Sequence, residues 1–205
     1  MPKLDLKKTL KEFYNPSAKA VSVVDVPPWN YLMLDGKGYP GTSQEYADAM
    51  EALYGVAYTL KFMLKGQPDI PDWTVMPLEG LWWMDDMTKD FTANKDAWKW
   101  TSMILQPDFV TTEMIAEASA ALKKKKDPVA LPKLRFESFH EGLSVQIMHI
   151  GPYAEEDANI EKLNDHIEAS GHVRHGLHHE IYLSDPRRTA PEKLKTVIRQ
   201  PMRKK

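Results

Sequence analysis

The chain has 205 residues, with 27 Lys and Arg against 29 Asp and Glu and a net charge of −2. That balance excludes a global field able to gather nucleic acid or anionic lipid. The absence of cysteine excludes disulfides and thiolate chemistry, and no apolar run approaches the ~20 residues needed to span a bilayer. The charged start, Met1 to Lys8, lacks the apolar segment of a secretory leader, so the expected location is the cytoplasm.

In chain order, residues 1–17 are lysine-rich, close on Asn15-Pro16-Ser17, and are expected to form an arm outside the core. Val21, Val23, Val24 and Val26 suit a strand that Pro27-Pro28 terminates, and Tyr31 to Gly38 reads as a second strand. From Thr42 the spacing becomes helical, with Tyr46, Met50, Leu53, Tyr54, Ala57, Leu60, Lys61 and Leu64 near one side. Thr42 with Glu45 forms a capping-box pattern and Gly66 a stop. Strands are expected around Trp73 to Met84 and Ala97 to Leu105, and then a helix capped by Thr111 or Thr112 runs to the lysines at 123–126. Those lysines complement a helix C-terminus and read as a solvated cap. Strands follow at 134–139 and 143–150, then a Gly151-Pro152 turn, a helix to Gly171, and strands at His178 to Leu183 and Val197 to Gln200.

Both halves thus run strand, Gly/Pro turn, helix, strand, strand, and both end on Ile-x-Gln-Pro. The expected architecture is α+β, a pseudo-twofold duplicated strand-helix-strand-strand unit with a mostly antiparallel sheet and a central ligand cleft. One domain is expected over 18–205, with copies at about 18–107 and 134–201 and the connecting helix at about 111–126. The segment between the strands' Gly38 to Gln106 exceeds that between Gly151 and Gln200, and the excess is expected around Asp85 to Asp96.

The strongest chemical signal is His178-His179-Glu180-Ile181-Tyr182-Leu183. Alternation in a strand puts His178, Glu180 and Tyr182 on one face, an acid between two proton carriers. A carboxylate on a central strand must be paired or must face a ligand, because burying it unpaired costs several kcal/mol. For Glu180 the alternatives are a salt bridge to Arg187 or Arg188 and a role as cleft acid. In the first copy Glu79, Leu81 and Trp83 share one face and Gly80, Trp82 and Met84 the other; Trp98 and Trp100 are two apart, and Tyr54, Tyr58 and Tyr153 add to the aromatic supply. These rings are either core or a wall for a flat or cationic ligand. His172, His175, His178 and His179 lack any metal-site spacing, and there is no phosphate loop, dinucleotide fingerprint or nucleophile elbow. No metal or cofactor is expected.

Leu53 to Lys61, Pro77 to Trp83, Gln106 to Val110, His149 to Tyr153 and His178 to Arg187 together resemble the GyrI-like small-molecule-binding family, in its stand-alone branch. The resemblance implies a twice-repeated fold around a ligand cleft. It further implies either an effector-like binder of cationic aromatic drugs or a hydrolase that opens the cyclopropane ring of DNA-alkylating natural products inside an aromatic cage. Glu180 matches the family's cleft acid. On the hydrolase reading Glu180 activates water and Tyr182, Tyr153 or His178 donates to the developing phenolate, while Trp83, Trp100, Tyr54, Trp82 and Glu79 contact ligand. On the binding reading the same groups sequester the compound without turnover. The expected partner is a small aromatic or cationic molecule, with no nucleic acid and no membrane.

Overall fold

The computed structural model describes residues 3–86, 91 and 93–205. In chain order the elements are helices α1 (Leu6–Thr9) and α2 (Lys11–Tyr14), strands β1 (Ser22–Val26) and β2 (Trp29–Lys37), helix α3 (Gln44–Leu64), strands β3 (Leu78–Trp83) and β4 (Lys99–Leu105), helix α4 (Thr112–Lys125), strands β5 (Arg135–Phe139) and β6 (Gly142–Ile150), helix α5 (Asp157–Ala169), and strands β7 (His172–Arg174), β8 (His178–Tyr182) and β9 (Lys195–Lys204). No described helix is long and apolar enough to cross a membrane. The fold is mixed α+β, and the strand pairs with resolved register are all antiparallel. The elements group into two compact units.

The first unit comprises residues up to Leu6, Trp29–Met76 and Trp82–Phe139. Its strand order runs from the end of β3 through β4 and β2 to β5. Helix α3 packs on β2 and β4 through Ala49, Ala52, Leu53, Val56, Ala57, Leu60 and Leu64, the i, i+3, i+4 spacing of a buried stripe. Burying each of its larger apolar side chains contributes roughly 1.5–3 kcal/mol. The helix begins one residue later than the sequence indicates: Ser43, not Thr42, accepts the Tyr46 N–H at 3.2 Å, while Glu45 accepts from the Lys37 N–H. The preference arises because the Ser43 hydroxyl also donates to the Lys37 carbonyl and so ties the cap to the end of β2. Thr111 caps α4, accepting from the Met114 N–H.

The second unit comprises Lys7–Pro28, Pro77–Leu81 and His140–Lys205. Its order is β1, β6, β9, β8 and the start of β3, with β7 also on β9. Val145, Ile147, Ile198 and Met202 point to one face, where Leu163 and Ile167 of α5 cover them. The alternate positions point the other way; Gln146, Arg199 and His179 form a cross-strand row there. Residues 7–17 belong to this unit rather than extending as an arm: Phe13 and Tyr14 are buried, and the Glu12 and Phe13 carbonyls accept from Gln146 and Arg199. The abundance of lysine masks those two aromatic anchors in the sequence.

In each unit the repeat has the same strand order, β3-β4-β2 in the first and β8-β9-β6 in the second. The outer strand differs in origin. β1, which precedes β2 in the chain, pairs with β6, whereas β5, which precedes β6, pairs with β2. Part of the length excess of the first repeat sits in its helix, 21 residues in α3 against 13 in α5. Of the segment expected to hold it, Met87 to Asp90 and Thr92 lie outside the described residues.

Candidate functional site

Strand β8 carries the candidate site because alternation gives it two unlike faces. On the α5 side, Glu180 accepts from His178 Nε2–H at 3.1 Å on Oε1 and from the Tyr182 hydroxyl at 2.8 Å on Oε2. Each carboxylate oxygen therefore has one donor and retains a lone pair for another. Burial opposes ionisation of Glu180, but the contacts with His178 and Tyr182 outweigh it and hold the carboxyl below its usual range. The Glu180 side chain remains 16% exposed, so one edge is reachable. Tyr153, itself 40% exposed, meets the Tyr182 ring edge to face at 5.7 Å and 83°. Arg187 pairs with Asp185, and the acid is held by its own strand neighbours.

Thr196 and Glu156, which carry no signal in the sequence, complete this cluster. Thr196 on β9 lies directly opposite Tyr182, and His149 on β6 lies opposite Thr196, so the three share a row. Glu156, at the start of α5, is 5% exposed and lies against Thr196 and Glu180. Its side chain makes no capping bond to its own helix. Burial first, and then the Glu180 charge, pushes the Glu156 carboxyl up to about 10. Oε1 of Glu156 and Oγ1 of Thr196 are buried and have no aligned hydrogen-bond partner. The entry to α5 is fixed by His149, whose Nε2–H donates to the Pro152 carbonyl while Nδ1 accepts from Asn159. Gly151 there has φ +144°, and a Cβ would stand 3.3 Å from His149 Nε2. In sequence, Glu155-Glu156-Asp157 looks like acids complementing a helix N-terminus; what turns Glu156 inward is this tertiary anchoring.

The other face of β8 holds a network of buried charge. His179 contacts Glu141 through Nδ1 at 3.0 Å and Glu79 through Nε2 at 3.1 Å, and all three side chains are buried. Tyr14 donates to Glu79 at 2.6 Å, and Arg199 donates to Glu141, Gln146 and the Phe13 carbonyl. Burial disfavours the imidazolium, yet Glu141 and Glu79 push His179 up to about 9; burial likewise opposes Glu141, which His179 and Arg199 bring down to about 2. Glu79, expected to contact ligand, is therefore spent on this network, on the side away from Glu180. By alternation Gly80 takes the Glu180 side of β3, the strand beside β8, and adds no side chain there.

The remaining aromatic candidates lie in the first unit. Trp100 is fully buried: its ring covers Gly36, donates Nε1–H to the Gly38 carbonyl and meets Tyr46 edge to face. It is a core residue, whereas a wall position was expected. Trp82 is buried and meets Trp98 edge to face, and Phe91 stacks on Trp98 at 4.7 Å. Trp83 is half-buried at the end of β3. Tyr54 lies on the outside of α3, stacked with Tyr58. The structure thus brings together Glu180, His178, Tyr182 and Tyr153, while Glu79 and Trp100 serve other neighbours.

A family model described as the GyrI-like small molecule binding domain matches residues 19–203. Among solved structures, an uncharacterized conserved protein from Listeria innocua is 41% identical with a TM-score of 0.91, covering 98% of this chain and 100% of that chain. A hydrolase from Listeria innocua is 40% identical with a TM-score of 0.86 over the same shares. The EcmrR C-terminal domain shares the fold at 12% identity and a TM-score of 0.55, with 91% of this chain and 98% of that chain covered. No curated protein matches the chain.

Proposed function

This chain belongs to the GyrI-like small-molecule-binding family, and on that premise we propose that it receives an aromatic small molecule against Glu180 and hydrolyses a strained cyclopropane ring conjugated to a dienone. The observation that carries the reading is the state of Glu180: a mostly buried carboxylate, held ionised and aimed by His178 and Tyr182, beside the exposed edge of Tyr153. The 40% identical hydrolase supports the hydrolytic part.

In the proposed reaction a water donates a hydrogen bond to Glu180, and its oxygen forms a bond to the ring methylene. The methylene's bond to the ring-fusion carbon breaks, and that electron pair moves through the dienone to its oxygen, giving a phenolate. Glu180 takes the water proton as general base, which contributes roughly a hundredfold or more. A hydrogen bond to the developing phenolate, from Tyr153 at the rim or by way of solvent, stabilises the same transition state. Strain in the substrate supplies the remaining driving force. Tyr153 and Tyr182 offer ring edges and faces for a planar ligand.

The test is turnover of a spiro-cyclopropyl dienone, followed by loss of its absorbance and by mass of the ring-opened alcohol, for the wild type and Glu180→Gln. The proposal requires wild-type turnover and a loss of about a hundredfold or more in the variant. Wild-type binding without turnover would remove hydrolysis and leave sequestration as the function of the site.

A further inference from the structure

Glu156 has no place in the reaction above, yet its burial against Glu180 demands a reason. Two carboxyl groups in contact cannot both ionise without a counter-charge, because burial and mutual repulsion act in the same direction. Glu180 is already committed to the ionised form by His178 and Tyr182. Glu156 must therefore keep the proton, and the contact becomes one negative charge on two carboxyl groups. The unaligned Oε1 of Glu156 and Oγ1 of Thr196 are buried polar atoms left with unused hydrogen-bonding capacity on that side of Glu180.

We propose that Glu156 and Glu180 form a proton-exchange site, in which Glu156 surrenders its proton when a monocationic aromatic ligand settles against Glu180. This rests on the reading of Glu180 as the ligand-facing acid. The exchange is balanced: one cation enters, one proton leaves to solvent, and the net charge of the cluster is unchanged. The second carboxylate then shares the incoming charge, with the Thr196 hydroxyl within reach to donate to it. Other groups around the pair are His178 and Tyr182 on β8, His149 on β6, Tyr153 in the turn and Asp157 on α5, of which Asp157 opposes ionisation of Glu156. A cation offsets that opposition as well.

By linkage, proton release makes affinity rise with pH, by about tenfold per pH unit while one proton is exchanged. The window lies between neutrality and the alkaline range where Glu156 ionises unaided, about 10.

The experiment is calorimetric titration of the intact protein with N-methylacridinium, a permanently charged planar cation, at pH 7 in phosphate and in Tris. The two buffers differ in ionisation enthalpy, so a difference in heat counts protons. Release of about one proton per cation in the wild type, abolished in Glu156→Gln with dye binding retained, is the expected result. Equal wild-type heats in the two buffers would overturn the proposal even if the variant failed to fold. Release that persists in Glu156→Gln would assign the proton to another group and remove Glu156. Absence of dye binding by the wild type would overturn both the exchange and the ligand-facing assignment of Glu180. Dye binding with proton release but no ring opening would leave the exchange standing and refute hydrolysis alone.

Discussion

Gly36 has a defined task at the scale of single residues, because the Trp100 ring occupies the space its side chain would need. A Cβ there would lie 2.3 Å from two ring carbons, and Trp100 cannot withdraw, being tied to the Gly38 carbonyl and packed against Tyr46. Gly36→Ala is expected to cost about 1–3 kcal/mol, the range for overpacking a filled core. Urea unfolding measures it, and a midpoint equal to wild type would show that the ring can move. Trp100→Ala should unfold the protein more readily, by roughly 3–5 kcal/mol for an emptied core position, rather than merely weaken ligand binding. Glu180→Gln differs from both. It keeps the volume, and the amide can still meet Tyr182 and His178, so the melting temperature should stay close to wild type while base catalysis is lost. A variant that hydrolyses at the wild-type rate would remove Glu180 from the mechanism.

At the scale of an element, β8 is a partition between two electrostatic environments made from five consecutive residues. Its α5 side holds a carboxyl pair with one proton, and its other side holds two carboxylates around an imidazolium and a guanidinium. Breaking the latter by Arg199→Met leaves Glu141 short of a buried counter-charge, and a loss of about 3–5 kcal/mol is expected. Chemical denaturation would reveal it. The pH dependence follows from the same groups. His179, raised from 6.5 to about 9, contributes stability that is complete below pH 6.5 and lost as pH rises through 9. Glu156, raised from 4.5 to about 10, likewise loses its contribution above 4.5 because the unfolded chain releases that proton. Glu141, lowered from 4.5 to about 2, contributes above 4.5 and loses that contribution as pH falls toward 2. These signs place maximal stability at about pH 5. Scanning calorimetry from pH 3 to 9 should show the melting temperature falling toward both ends, and a profile still rising between pH 7 and 9 would contradict the assignment.

For the whole molecule, charge balance governs what gathers at its surface. The net charge is −2, and of the basic residues near the end of the chain Arg199 is buried against Glu141. Arg203, Lys204 and Lys205 are left exposed there, too few to line a groove along a duplex. The protein is expected to pass through immobilised duplex DNA at physiological ionic strength, and salt-dependent retention would contradict this. The repeat also has a consequence at this scale. Because β1 pairs with β6 and β5 with β2, each compact unit takes an outer strand from the sequence that leads into the other repeat. A fragment cut between residues 107 and 111 would therefore lack a strand partner in either half.

Periodicity and turn chemistry are local, and the sequence by itself determined what depends on them: the helices at α3, α4 and α5, the chain order of strands within the repeat, the alternation that gathers His178, Glu180 and Tyr182, and the family whose most specific strings surround Trp82 and Glu180. Tertiary structure alone decided which neighbours those side chains meet. Glu79 and Glu180 are both acids on strands with aromatic neighbours, yet one is neutralised by His179 and Tyr14 and the other is left reachable, because the sides of the sheet are covered by different elements. Trp100 and Trp83 likewise look alike in the chain, and only the glycine across the strand pair makes the first a core residue. Glu156 carried no signal at all among three successive acids. Its role depends on a carboxyl group 24 residues away being brought against it, and long-range proximity of this kind leaves no period in a sequence.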